Sequence, residues 1–130
     1  MTTSTDPTDV VTRFCAAWGE GDLDAVLAFF TADAVYHNIP LDPVNGVDQI
    51  RATIEGFSAG VDKVEFRVTN MATNGNVVLT ERVDAFVTAA RTIELPVMGT
   101  FEVTPDGKIS AWRDYFDLNQ FMSQMTPPTT

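Results

Sequence analysis

Three segments of the chain each carry two polar side chains two residues apart: Tyr36 and Asn38, Arg82 and Asp84, Trp112 and Asp114. In an extended strand, residues i and i+2 face the same side, so each pair is delivered together if its segment is a strand. Two carboxyl groups bridged by a guanidinium carry net negative charge when fully ionised and become neutral on binding a shared proton. They then titrate as a unit, one serving as acid while the other serves as base. The spacing is equally compatible with a buried polar staple that does no chemistry, and it does not choose between the two.

The neighbouring residues indicate where these groups sit. Along 77–86 one face reads Val78, Thr80, Arg82, Asp84, Phe86 and the other Val77, Leu79, Glu81, Val83, Ala85. Neither face is wholly polar, which suggests a sheet covered on both sides, with Arg82 and Asp84 in or beside a core. The segment 109–116 alternates in the same way, with Ser110, Trp112, Asp114 and Phe116 on one side. Charges held in low dielectric must be paired or must change protonation state. His37, Glu81 and Arg113 fall between the paired residues and are expected to point away from them.

The elements that must position these residues follow from the pattern. Asp6 and Pro7 open a helix carrying Val10, Val11, Phe14, Ala17 and Trp18. Asp22 caps a second helix, with Leu23, Val26, Leu27 and Phe30 on one face. Residues 34–39 read as a short strand, 42–46 as a loop and 47–57 as a third helix. Strands are then expected over 61–71, 77–89, 91–103 and 108–116, joined by turns at Asn74-Gly75-Asn76 and Pro105-Asp106-Gly107. Pro96 marks a bulge or an edge position, and Asp117 caps a last helix over 118–125. Helices followed by hairpin-linked strands give the α+β class, as one domain over 6–125 with flexible tails at 1–5 and 126–130.

Composition narrows the function. The formal net charge of −10 disfavours nucleic acid, whose phosphates need a basic surface, and anionic membranes for the same reason. The single cysteine, Cys15, allows no internal disulfide and reads as a buried, inert thiol. With only one histidine as well, no metal site is expected. The polar start Met1–Asp6 lacks the apolar core of a signal segment, and no run approaches the ~20 apolar residues of a membrane span. A cytoplasmic location is the expectation.

Three strings resemble the limonene-1,2-epoxide hydrolase family, within the SnoaL-like superfamily of nuclear-transport-factor-2-like and ketosteroid-isomerase-like folds. They are Tyr36-His37-Asn38-Ile39-Pro40, Glu81-Arg82-Val83-Asp84, and Trp112-Arg113-Asp114-Tyr115-Phe116-Asp117. Ala111 stands where the family carries glycine before the tryptophan. The resemblance implies a strongly curved mixed sheet forming a cone, with the N-terminal helices closing its pocket. It implies one-step, cofactor-free hydrolysis of a hydrophobic epoxide of terpene or cycloalkene type. Asp84 would be the general acid, Asp114 the general base and Arg82 the bridge. Tyr36 and Asn38 would orient the water with Asp114, and Trp112 would hydrogen-bond toward the acidic aspartate. Phe86, Leu95, Val97, Phe116 and Phe121 would line the cup; by pattern alone plain core is the favoured reading for each. A homodimer is implied.

Two rival readings remain. A ketosteroid-isomerase-like or polyketide-cyclase-like proton shuttler would need one aspartate and an oxyanion donor, and gains little from a bridging arginine. A non-catalytic ligand-binding dimer module would retain costly polar groups in an apolar cup without use.

Overall fold

The computed structural model describes residues 4–125. Helix α1 (Pro7–Trp18) begins as its sequence indicates: Asp6 accepts from the backbone N–H groups of Thr8 and Asp9, and Pro7 occupies the first turn. Arg13 reaches back to the Ser4 carbonyl at 2.6 Å. The other tail positions, 1–3 and 126–130, lie outside the described residues. Helix α2 (Leu23–Leu27) is capped by Asp22 but is shorter than its pattern suggests. Phe30 is not on it; it opens strand β1 (Phe30–Asn38), ahead of the expected start at Ala34. Packing decides this, because Phe30 meets Phe14 edge-on at 5.4 Å and stacks on Trp112 at 6.1 Å, contacts it makes from the sheet.

A two-residue strand, β2 (Val44–Asn45), lies within the expected loop and pairs with Val35 and Tyr36. Helix α3 (Val47–Ser58) follows, then β3 (Lys63–Asn74), β4 (Val77–Val87), β5 (Thr92–Val103), β6 (Ile109–Tyr115) and helix α4 (Leu118–Met125). Gly75 (φ +62) and Gly107 (φ +85) supply the left-handed backbone that the β3–β4 and β5–β6 turns require. The strands form a single sheet in the order β2-β1-β6-β5-β4-β3. β1 and β6 run parallel and the other neighbours antiparallel, so the curved sheet is mixed, as expected for this α+β fold. It stays open, with β2 and β3 as edges.

The concave face holds the core. Val10, Val11, Phe14, Cys15 and Trp18 of α1 are buried, and the Phe14 ring meets Phe101 at 5.7 Å and Trp112 at 5.1 Å. Truncating such a ring to alanine costs about 3–5 kcal/mol. At the other end, α4 docks on β5 through the Gln124 side chain: Gln124 Oε1 accepts from Glu94 N–H at 3.0 Å, and Gln124 Nε2 donates to the Glu94 carbonyl at 2.9 Å, while Arg91 donates to the Gln124 carbonyl at 2.8 Å and Phe121 meets Phe86 edge-on at 5.8 Å. Both Glu94 groups therefore point away from β4. Pro96, two residues on, has the same orientation, and the β5–β6 pairing reaches only as far as Met98. Its missing N–H is one that no strand would accept, which is the edge position read from the sequence; the β4–β5 register runs through without a bulge. Among the described residues no helix is long and apolar enough to cross a membrane.

Candidate active site

Register brings the three polar pairs together. Tyr36 lies opposite Trp112 and Asn38 opposite Asp114 across the parallel β1–β6 ladder. Asp114 pairs with Gly99 on β5, while Arg82 and Asp84 on β4 pair with Val97 and Leu95. All six side chains are on the concave side, and Arg82, Asp84 and Asp114 are at most 3% exposed.

The guanidinium of Arg82 is completely used. Nε donates to Asp84 Oδ1 at 2.9 Å and Nη2 to Asp84 Oδ2 at 2.8 Å. Nη2 also donates to Asp114 Oδ2 at 2.9 Å, and Nη1 to Asp114 Oδ1 at 3.2 Å and to Thr80 Oγ1 at 3.0 Å. These bonds account for every N–H an arginine has, in the forked geometry that carboxylates match. Above it lies the Phe66 ring, with its centroid 4.6 Å from Cζ. Thr80, fully buried, is a partner that sequence reasoning did not single out; it lies on the same alternating face as Arg82 but bears no charge to draw attention.

The two carboxylates are not equivalent. Trp112 Nε1 donates to Asp114 Oδ1 at 2.7 Å, which corrects the expectation that the indole serves the acidic aspartate. Trp112 and Asp114 are i and i+2 on β6, whereas Asp84 is two strands away. Asp114 thus accepts three hydrogen bonds and Asp84 two. Burial pushes the Asp84 carboxyl up to about 6, against the pull of Arg82 and with added repulsion from Asp114. Burial also opposes the Arg82 charge, but Asp114 and Asp84 outweigh it and hold the guanidinium well above its ordinary range.

Tyr36 stacks on Trp112 at 4.1 Å with an interplanar angle of 13° and donates to Asn38 Oδ1 at 3.1 Å. Burial, then the nearby Asp114, drives its phenol well above its usual range, so it acts as a hydroxyl. His37, Glu81 and Arg113 face away as alternation requires. His37 Nε2 contacts the Leu41 carbonyl at 2.9 Å, Glu81 accepts from Asn70 at 2.7 Å, and Arg113 pairs with Glu102 at 2.7 Å. The Cys15 thiol does not line the cup, and burial pushes it up to about 12, so it is inert as read from the sequence.

Asp84, Asp114, Tyr36 and Asn38 open onto a cup of about 540 Å³, counting the space at its mouth. Phe86, Leu95, Val97, Phe116 and Phe121 all line it. The sequence reading missed four further apolar walls: Leu41, Phe57, Phe66 and Leu118. Phe66 was findable in principle, since it pairs with Asp84 across β3–β4, but only once that register is known. Pro96 and Met98 are exposed and alternate with Leu95 and Val97, so they face the other side of the sheet. An apolar cup with four polar groups gathered at one place can hold a greasy molecule and deliver a proton and a water to one of its atoms.

Comparison with known proteins agrees with this geometry. Residues 5–127 match the family model described as the limonene-1,2-epoxide hydrolase catalytic domain. The chain is 35% identical over 108 residues to epoxide hydrolase EphG of Mycobacterium tuberculosis, covering 83% of this chain and 71% of that protein. The solved structure of an M. tuberculosis LEH-like epoxide hydrolase superposes with a TM-score of 0.79 at 30% identity, over 92% of this chain and 89% of that one. A putative polyketide cyclase from Xanthomonas campestris reaches a TM-score of 0.82 at 21% identity, over 95% of this chain and 100% of that one, and shares the fold alone.

Proposed function

We propose, since the chain belongs to the limonene-1,2-epoxide hydrolase family, that it opens hydrophobic epoxides of terpene or cycloalkene type to vicinal diols by direct attack of water. The observation that carries this reading is Arg82 held between two buried carboxyl groups at an apolar cup. Asp84, the carboxyl that burial pushes up to about 6, supplies the proton. Asp114, an acceptor at both oxygens, takes one.

The step balances. A water oxygen bonds to one epoxide carbon as that carbon's bond to the ring oxygen breaks. Asp84 protonates the leaving oxygen, and Asp114 receives a proton from the water. The cluster binds one proton before and after, so its total charge is constant, which suits a site where uncompensated charge is costly. Tyr36 and Asn38 hold the water beside Asp114, so orientation replaces a covalent nucleophile. Arg82 keeps both carboxyls in place and moves no proton itself. Side chains and water supply every group the reaction needs, so no cofactor is called for. Phe86, Leu95, Val97, Phe116 and Phe121, with Leu41, Phe57 and Leu118, would enclose the hydrocarbon.

The partner in this reading is a second copy of the chain. Leu79, Met98 and Tyr115, between 42% and 49% exposed, lie together on the convex face of β4, β5 and β6. Sedimentation should give a dimer at micromolar concentration, and a monomer there would overturn it.

The chemistry is tested by single-turnover hydrolysis of limonene oxide and cyclohexene oxide in heavy-oxygen water with enzyme in excess. Direct attack places the label in the diol in the first turnover. Label appearing only after several turnovers, or no diol from any epoxide offered, would refute the reading.

A further inference from the structure

β5 runs between β4 and β6, so Arg82 and Asp114 sit on strands that do not touch. Adjacent strands are about 4.8 Å apart, and the pair must span roughly twice that over the top of β5. The residue beneath the span is Gly99, which pairs with Thr80 on one side and Asp114 on the other. A Cβ built there would overlap Arg82 Nη1 outright and would sit 2.6 Å from Asp114 Oδ1 and 2.9 Å from Thr80 Oγ1. The backbone does not ask for glycine: Gly99 is not among the residues with positive φ, and it lies inside a regular strand. Glycine weakens a strand interior, through lost chain entropy and lost packing, and marks a place where something must approach the backbone closely.

We propose that Gly99 is a positioning residue for the carboxyl pair: its missing side chain is the aperture through which the Arg82 guanidinium reaches Asp114. Each atom that a Cβ would displace is the end of a side chain, and each belongs to this one network. A methyl group at this position therefore leaves the strand intact and separates Arg82 from Asp114. Asp114 Oδ1 is also the acceptor of the Trp112 indole, so the disturbance reaches the indole N–H. For turnover the inference rests on the proposed hydrolase reading; for the geometry it does not.

The test is Gly99→Ala, read in two ways. Without substrate, the indole N–H resonance of Trp112, assigned against Trp18→Phe, should move, and the carboxyl titration of Asp84 should shift with it. With an epoxide, kcat should fall by about 10²-fold while KM changes little, because the apolar wall is untouched. A folded Gly99→Ala protein with the wild-type indole resonance and titration overturns the inference. If the single variant does not fold, Gly99→Ala with Thr80→Ala gives the guanidinium room to withdraw. That protein should fold and show the displaced indole resonance, and a double variant no better than the single one also overturns the inference. A wild-type protein that opens no epoxide would sink the proposed function, yet the resonance test would still stand.

Discussion

The sheet carries the same charge motif twice, once on each face. On the convex side Arg67 lies between Glu65 and Glu94, with Nε 3.0 Å from one and Nη1 2.9 Å from the other. On the concave side Arg82 lies between Asp84 and Asp114 at 2.8 and 2.9 Å. The closest distances nearly match; the number of bonds, the added Lys63 charge beside Glu65 and above all the solvent do not, since Arg67 makes one bond to each acid and Arg82 two. The Arg67 side chain is 46% exposed and that of Arg82 is 0%. The carboxyl groups respond in opposite directions. Hydrogen bonds from Arg67 and Lys63 pull Glu65 below its ordinary value, whereas burial pushes Asp84 up to about 6. An arginine between two acids is thus not in itself a device for moving protons. Removing water from it raises the proton affinity of one carboxyl, and in the proposed reading the apolar cup brings the group that takes this proton.

The sharpest way to break this contrast is to neutralise each acid in turn. Asp84→Asn and Asp114→Asn should each lower kcat/KM by about 10³-fold, while Glu65→Gln and Glu94→Gln should leave it at the wild-type value. A comparable loss from Glu94→Gln in a steady-state assay would show that the two faces are not distinct in function. Next, Arg82→Ala should abolish turnover and destabilise the fold by about 3–5 kcal/mol, because it leaves two buried carboxyls without their counter-charge. Arg67→Ala should leave the denaturation midpoint within experimental error.

pH separates the faces as well. The folded-state value for Asp84 is about 6, above the 3.8 of a free aspartate. Its contribution to stability is therefore complete below about 4 and is lost as pH rises through 6. The loss should be about 3 kcal/mol by urea titration at each pH, and Asp84→Asn should flatten that slope. In the proposed reaction, where Asp84 gives the proton, kcat/KM should also fall as pH rises past about 6. Glu65, shifted downward, gives stability present above about 4.5 and lost in more acidic solution. The smallest effect on turnover is expected from Trp112→Phe, which keeps a ring to stack on Tyr36 but removes the indole donor to Asp114 along with part of a fully buried ring: about a tenfold drop in kcat with KM unchanged, and a lower denaturation midpoint from the cavity left behind.

Much of this was readable in advance because strand periodicity is local. Spacing by two placed Arg82 with Asp84 and Trp112 with Asp114, and it turned His37, Glu81 and Arg113 the other way, all without knowledge of the sheet. What stayed hidden depends on register between strands. Thr80 and Gly99 matter through what lies across from them, and nothing in 77–87 or 92–103 says which residues will be opposite. The indole's direction, which the resemblance sets toward the acidic aspartate, also turns on strand order: β5 lies between Trp112 and Asp84. Phe30 was misassigned to a helix because Leu23, Val26 and Leu27 continue into it at helical spacing, while the rings of Phe14 and Trp112 that claim it lie far along the chain. The cup walls Leu41, Phe57 and Leu118 come from a loop and two helices whose approach to the sheet no local pattern encodes.

Gln124 ties α4 to the stretch of β5 that β6 does not cover, and Leu118 and Phe121 of the same helix wall the cup. Roof and edge protector are one element. Lifting α4 to admit a large molecule would also strip the amide from Glu94 and bare an unpaired strand border, the kind of surface on which chains stick to one another. Tolerance of bulky molecules and resistance to aggregation are therefore opposed in this fold, through the docking of one short helix.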